Sequence, residues 1–114
     1  MLKIYHNPRC SKSRAGLKYL RENNIEHEVF EYLKQPVDAI TLKTLIDKTG
    51  KKPIEVVRTQ EKEYKENLKG KDISDKELLE FMARHPKLLK RPIVESEDKA
   101  VIAQPPEEIE KIRN

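Results

Sequence analysis

The first thirty residues constrain the fold most, because they set two strand-length segments on either side of one helix-length segment. Leu2, Ile4 and Tyr5 make a short apolar run that ends at Asn7-Pro8. Residues 11–23 then repeat at helical spacing, with Ser13, Leu17, Leu20 and Asn24 on one face and Arg14, Lys18 and Arg21 on another. The stretch "IEHEVFEY" sets Ile25, His27 and Val29 against Glu26 and Glu28, the alternation of a strand. Two strands joined through a helix predict a parallel βαβ unit. Ligands of open α/β sheets bind beyond the C-terminal ends of the strands. Cys10, the one cysteine, falls at that edge.

The middle of the chain changes character. Thr41 is a candidate cap for a helix carrying Leu42, Leu45, Ile46 and Thr49, which Gly50 stops. Pro53 opens a short helix through Val57. Ser74-Asp75-Lys76-Glu77 reads as a capping box ahead of Leu78, Met82 and His85, and Pro86 ends that helix. Residues from about 36 to 90 are therefore expected to be wholly helical. Strand character returns in "RPIVES" and "AVIAQ", separated by Glu97-Asp98-Lys99, a length that suits an antiparallel hairpin. "PPEEIEKIR" has prolines and acids first and bases last, as a final helix would. The expected fold class is α/β: a mixed four-stranded sheet with an all-helical insert between strands two and three, in one domain spanning 1–114.

Composition narrows the function. A chain of 114 residues with 36% apolar side chains can bury a modest core. No apolar run approaches a membrane span, and MLKIY lacks the apolar stretch and cleavage site of a signal peptide. One cysteine makes no internal disulfide, so a reducing, cytoplasmic setting is expected. The net charge of +4 comes from lysines and glutamates that alternate along helices, so no nucleic-acid partner is expected. No metal site is expected either, since His6, His27 and His85 have no ligand spacing with Cys10.

The position of Cys10 suits a reactive thiol. A free thiol ionises near ~8.5, and a helix N-terminus or nearby cations lower that value. Cys10 lies at the mouth of the first helix, where the N–H groups of residues 11–14 should point toward it. Ser13 is close enough in sequence for its hydroxyl to reach the sulfur. Arg9, Lys12 and Arg14 add positive potential, and His6 can supply a charge or a hydrogen bond. The same cradle binds anions, so the nucleophile should attack an anionic electrophile.

Four blocks, "YHNPRCSKSR", "VVRTQEKEYKE", "FMARHPKLLKRPIV" and "QPPEEI", resemble the glutaredoxin-linked arsenate reductase (ArsC-like) family in order and approximate spacing. The resemblance runs along nearly the whole chain. It implies a thioredoxin/glutaredoxin-like fold with a helical insert between its second and third strands, in agreement with the element order above. It implies that Cys10 is the nucleophile, that His6 and Asn7 precede it, and that Ser13 and Arg14 support it. It also implies that Arg58 and Arg91 bind the oxyanion and that Pro92 is the cis-proline of such folds.

The resemblance further implies reduction of arsenate to arsenite through a Cys10–arsenic adduct. Glutathione as external reductant and glutaredoxin would resolve that adduct, with no bound cofactor and a monomeric protein. The chain departs from the family in one place. A third arginine generally stands before the proline that opens the last helix, and here that position is Gln104. Glutamine donates a hydrogen bond without charge, a loss on the order of 1.5–3 kcal/mol if an oxyanion is bound there. Two alternatives follow. One is a thiol oxidoreductase acting on another substrate. The other is a redox-responsive transcription regulator of the same superfamily that binds RNA polymerase; those regulators commonly carry Cys-x-x-Cys, whereas this chain has Cys10 and Ser13.

Overall fold

The alternation of Leu2 and Ile4 with Lys3 and Tyr5 builds strand β1 (Leu2–Tyr5) at the centre of the sheet in the computed structural model, which describes residues 1–113. Those residues divide into two units, Met1–Gln35 together with the chain from Arg91 onward, and Pro36–Lys90. In the first unit β1 pairs in parallel with β2 (His27–Phe30), in register from Leu2↔His27 to Tyr5↔Phe30. Its other edge pairs antiparallel with β3 (Ile93–Glu95), which pairs antiparallel with β4 (Ala100–Ile102). The sheet order is β2-β1-β3-β4. This is the mixed four-stranded sheet that the sequence pattern predicts.

Helix α1 (Ser11–Glu22) makes the parallel crossover. One sheet face and α1 share a core of Leu2, Ile4, Leu17, Leu20, Val94, Ala103, Ile109 and Ile112. Each large aliphatic side chain buried there stabilises the unit by about 1.5–3 kcal/mol. On the opposite face of β1 the Lys3 ammonium lies 5.2 Å from the Tyr5 ring centre and 4.5 Å from that of Phe30, while the Tyr5 hydroxyl donates to Glu95 at 3.0 Å. The final segment, Pro106–Lys111, is a 3-10 helix rather than an α-helix. Its Ile109 and the capping Ile112 just past its end enter the core three residues apart, and a helix with three residues per turn stacks that pair on one side.

The second unit consists of α2 (Ala39–Thr49), α3 (Lys62–Asn67) and α4 (Asp75–Arg84), with 3-10 turns at Pro53–Val56 and Pro86–Leu88. The cap of α2 is Asp38 and not Thr41. Asp38 is extended, and its carboxylate accepts the Thr41 N–H at 2.8 Å. A carboxylate at that position also complements the positive end of the helix dipole. Gly50, at φ 74°, closes the helix in the left-handed region. The Ser74–Glu77 capping box forms reciprocally, with Oγ accepting the Glu77 N–H at 3.1 Å and the Glu77 carboxylate accepting the Ser74 N–H at 3.3 Å. Helix α2 packs on α4, burying Leu42, Leu45 and Ile46 as well as Leu78, Leu79 and Met82.

The insert is not wholly helical. Val57 leaves the Pro53 turn to form an antiparallel bridge with Leu89, flanked by bonds from the Arg58 N–H to the Leu88 carbonyl (2.7 Å) and from the Lys90 N–H to the Val56 carbonyl (2.9 Å). Two consecutive β-branched residues favour that extended backbone.

Candidate active site

The loop between β1 and α1 is built by its own residue types. Asn7-Pro8-Arg9-Cys10 makes a β-turn in which the Cys10 N–H donates to the Asn7 carbonyl at 3.0 Å. Proline presets the second position, and the Asn7 side chain accepts the Arg9 N–H at 3.0 Å, the turn that asparagine favours. Cys10 follows as the N-cap of α1, with extended backbone and with its carbonyl accepting the Arg14 N–H at 2.9 Å. Serine, threonine, asparagine or aspartate ordinarily places an oxygen here; this chain places a sulfur. The thiol makes no capping hydrogen bond of its own. The N–H groups of the first turn are left to stabilise a thiolate.

Half-buried Cys10 ionises below its ordinary value. Burial works against the charge and pushes the thiol up. The hydrogen bond from Arg91, the N–H groups of Ser13 and Lys12, and the charge of Arg91 together outweigh burial and bring it down. Arg91 stands just before β3 in sequence and reaches the N-terminal loop only because β3 lies beside β1.

Ser13 acts differently from its expected role. Its hydroxyl is fully buried, accepts the Asn7 N–H at 2.9 Å and shares a 2.7 Å hydrogen bond with His6 Nδ1. Its backbone N–H, not its hydroxyl, acts on the sulfur. His6 is only 5% exposed, and burial, helped by the charges of Arg21 and Arg14 against that of Glu31, lowers its pKa. It therefore contributes a hydrogen bond rather than a charge at neutral pH. The guanidinium of Arg14 donates to the Pro8 carbonyl at 2.9 Å and braces the loop. Arg9 and Lys12 are exposed beside it.

The Arg91-Pro92 peptide is cis, as the resemblance implies, and so is Gln104-Pro105, which no sequence signal marked. Gln104 is turned toward Arg91: its side-chain amide donates to the Arg91 carbonyl. The Pro92 ring packs on α1 at Gly16, where a Cβ would lie 2.7 Å from Pro92 Cγ. Sequence reasoning passed over Gly16, although a lone glycine inside a helix is the available signal. Arg58 belongs to the second unit, where its Nη1 pairs with Glu61 at 2.9 Å. The structure thus brings His6, Asn7, Cys10, Ser13, Arg14, Arg91, Pro92 and Gln104 together in the first unit. Among the described residues there is no cluster of three or more His, Cys, Asp or Glu side chains able to hold a metal ion, and no helix is long and apolar enough to cross a membrane.

The site thus sets a cysteine with a lowered pKa at a helix mouth, facing an arginine carried in just ahead of a cis-proline. The model of the ArsC family matches residues 5–112. The chain belongs to the ArsC family. It is 47% identical over 113 residues to an uncharacterised protein, YfgD, of Escherichia coli K12, covering 97% of this chain and 95% of that one. It is 42% identical over 113 residues to a protein of Neisseria meningitidis named arsenate reductase, covering 97% of each. Among solved structures, an arsenate reductase from Vibrio cholerae superposes with a TM-score of 0.93 at 39% identity, covering 98% of this chain and 97% of that one. The sheet and helices of this ArsC family member are accordingly those of the thioredoxin-like fold.

Proposed function

We propose that this protein is a cytoplasmic arsenate reductase in which Cys10 is the nucleophile. The observation that carries the proposal is the position of the Cys10 thiol at the mouth of α1, beside the Arg91 guanidinium and the first-turn N–H groups that favour its ionised form. The Cys10 thiolate attacks the arsenic of arsenate, forming an S–As bond and displacing hydroxide, which leaves as water after protonation. Arg91 and the first-turn N–H groups offset the charge of the oxyanion. Oxyanion binding by Arg58 is proposed on the sequence resemblance of the block "VVRTQEKEYKE". A glutathione thiolate then attacks the Cys10 sulfur. The S–As electron pair stays with arsenic, so arsenic(V) becomes arsenite and the two sulfurs form a mixed disulfide. Glutaredoxin reduces that disulfide and frees Cys10. With one cysteine in this chain, the second thiol must come from outside it.

The test is an arsenate assay coupled to glutathione, glutaredoxin and glutathione reductase. Turnover should vanish in Cys10→Ser and fall steeply in Arg91→Ala and Arg58→Ala, with thermal stability retained. Gln104, standing where the family places a third guanidinium, favours a second reading: the same thiol chemistry on a different substrate. An acidic Cys10 with no arsenate turnover would establish that reading and overturn the first.

A further inference from the structure

The backbone ladder between β3 and β4 runs through Ile93↔Ile102, and its next rung is the Ala103 N–H donating to the Pro92 carbonyl at 2.9 Å. After Ala103 the chain turns away through Gln104-Pro105, and Pro105 has no N–H to donate. A side chain continues the pairing one residue further. Gln104 is held by its own N–H on the Ile102 carbonyl at 2.9 Å, and its amide reaches across to the Arg91 carbonyl. Pro92 on the next residue is seated against Gly16 of α1. The Arg91 peptide is therefore gripped from β4 on one side and followed by a ring packed on the thiol's own helix.

We infer that Gln104 is a positioning residue: its side-chain amide fixes the Arg91 peptide, and so aims the Arg91 guanidinium at Cys10, in place of contacting the substrate. The inference rests on Cys10 being the nucleophile of the proposed function, but it does not depend on which substrate is reduced. A neutral donor is sufficient for this work, because the group it holds is a carbonyl. That explains why glutamine can occupy a position where the family generally holds an arginine. Loss of the amide leaves Arg91 present but less well directed, so the thiolate loses part of its stabilisation.

The test is the pH midpoint of Cys10 alkylation by iodoacetamide, measured on the folded full-length protein without arsenate. Gln104→Met keeps the length of the side chain and removes the donor. Its midpoint should rise by about half a pH unit, which is roughly threefold less thiolate below the midpoint. In an Arg91→Ala background the same substitution should leave the midpoint where Arg91→Ala alone puts it. Gln104→Glu, isosteric and also without the amide donor, should raise the midpoint at least as far, and it replaces the methionine variant if that one does not fold. An unshifted midpoint in both variants overturns the inference, as does an equal shift with and without Arg91. A wild-type midpoint near ~8.5 would overturn both this inference and the proposed function. An acidic wild-type thiol with no Gln104 effect would overturn only this inference.

Discussion

Replacing Gly16 by alanine sets two effects against each other. In a helix interior, Gly→Ala alone stabilises by about 1 kcal/mol, since alanine has the higher propensity and the unfolded chain loses freedom. Here the added Cβ would stand 2.7 Å from Pro92 Cγ, whereas Ile4 Cδ1 at 3.6 Å is ordinary contact. Carbon atoms pack best at roughly 3.5–4 Å, so α1 and the Pro92 ring must separate by about 1 Å. Neither side yields easily. Pro92 is rigid, and its carbonyl is bonded to the Ala103 N–H at 2.9 Å. Overpacking of this kind costs about 1–3 kcal/mol. Against the propensity gain the net is a loss of roughly 1 kcal/mol. In urea, with a slope of about 2 kcal/mol per molar, the midpoint should fall by roughly 0.5 M. The thiol should respond as well, because moving Pro92 moves Arg91, and the alkylation midpoint of Cys10 should rise. A Gly16→Ala protein stabilised by the full propensity gain, with an unchanged thiol, would refute the close approach of Pro92 to α1.

Other outcomes follow from the same site and from the insert. Cys10 should alkylate with a midpoint below ~8.5, and Arg91→Ala should move that midpoint upward, since Arg91 is the largest of the groups that favour the thiolate. Buried His6 has a folded-state pKa below that of an unfolded histidine, so the unfolded chain binds the extra proton first. Its contribution to stability is thus complete above about pH 6.5 and lost as the pH falls through that value toward the lower folded one. Urea midpoints taken from pH 8 to 5 should decline more steeply for wild type than for His6→Asn, and equal slopes would refute a neutral buried imidazole. Ser74→Ala removes one half of the capping box on α4 and should cost about 1 kcal/mol. A thermal midpoint lowered by roughly 4–8 °C would show it, and an unchanged one would mean that the box adds nothing.

Local chemistry determined much of this protein before any tertiary contact. The period-two run at Leu2–Tyr5 and the 3.6-residue spacing of Ser13, Leu17 and Leu20 define β1 and α1. Asn7-Pro8 defines the turn that ends in Cys10, and helix geometry alone directs N–H groups at that residue. The Ser74–Glu77 box was equally legible because both of its bonds are short-range. What sequence order leaves open is which of several neighbouring groups makes a given bond. The Ser13 hydroxyl was within reach of the sulfur on paper, but folding buries it against His6 and Asn7. Asp38 took the cap ahead of Thr41 because backbone geometry three residues upstream suited a carboxylate. The contacts that Gly16, Arg91 and Gln104 make were decided by the tertiary structure alone. They are brought together by the antiparallel placement of β3 between β1 and β4 and by the packing of Pro92 on α1. Such contacts join residues 76 positions apart for Gly16 with Pro92 and 81 positions apart for Cys10 with Arg91. No local pattern encodes them, because their partners meet only once the sheet has formed.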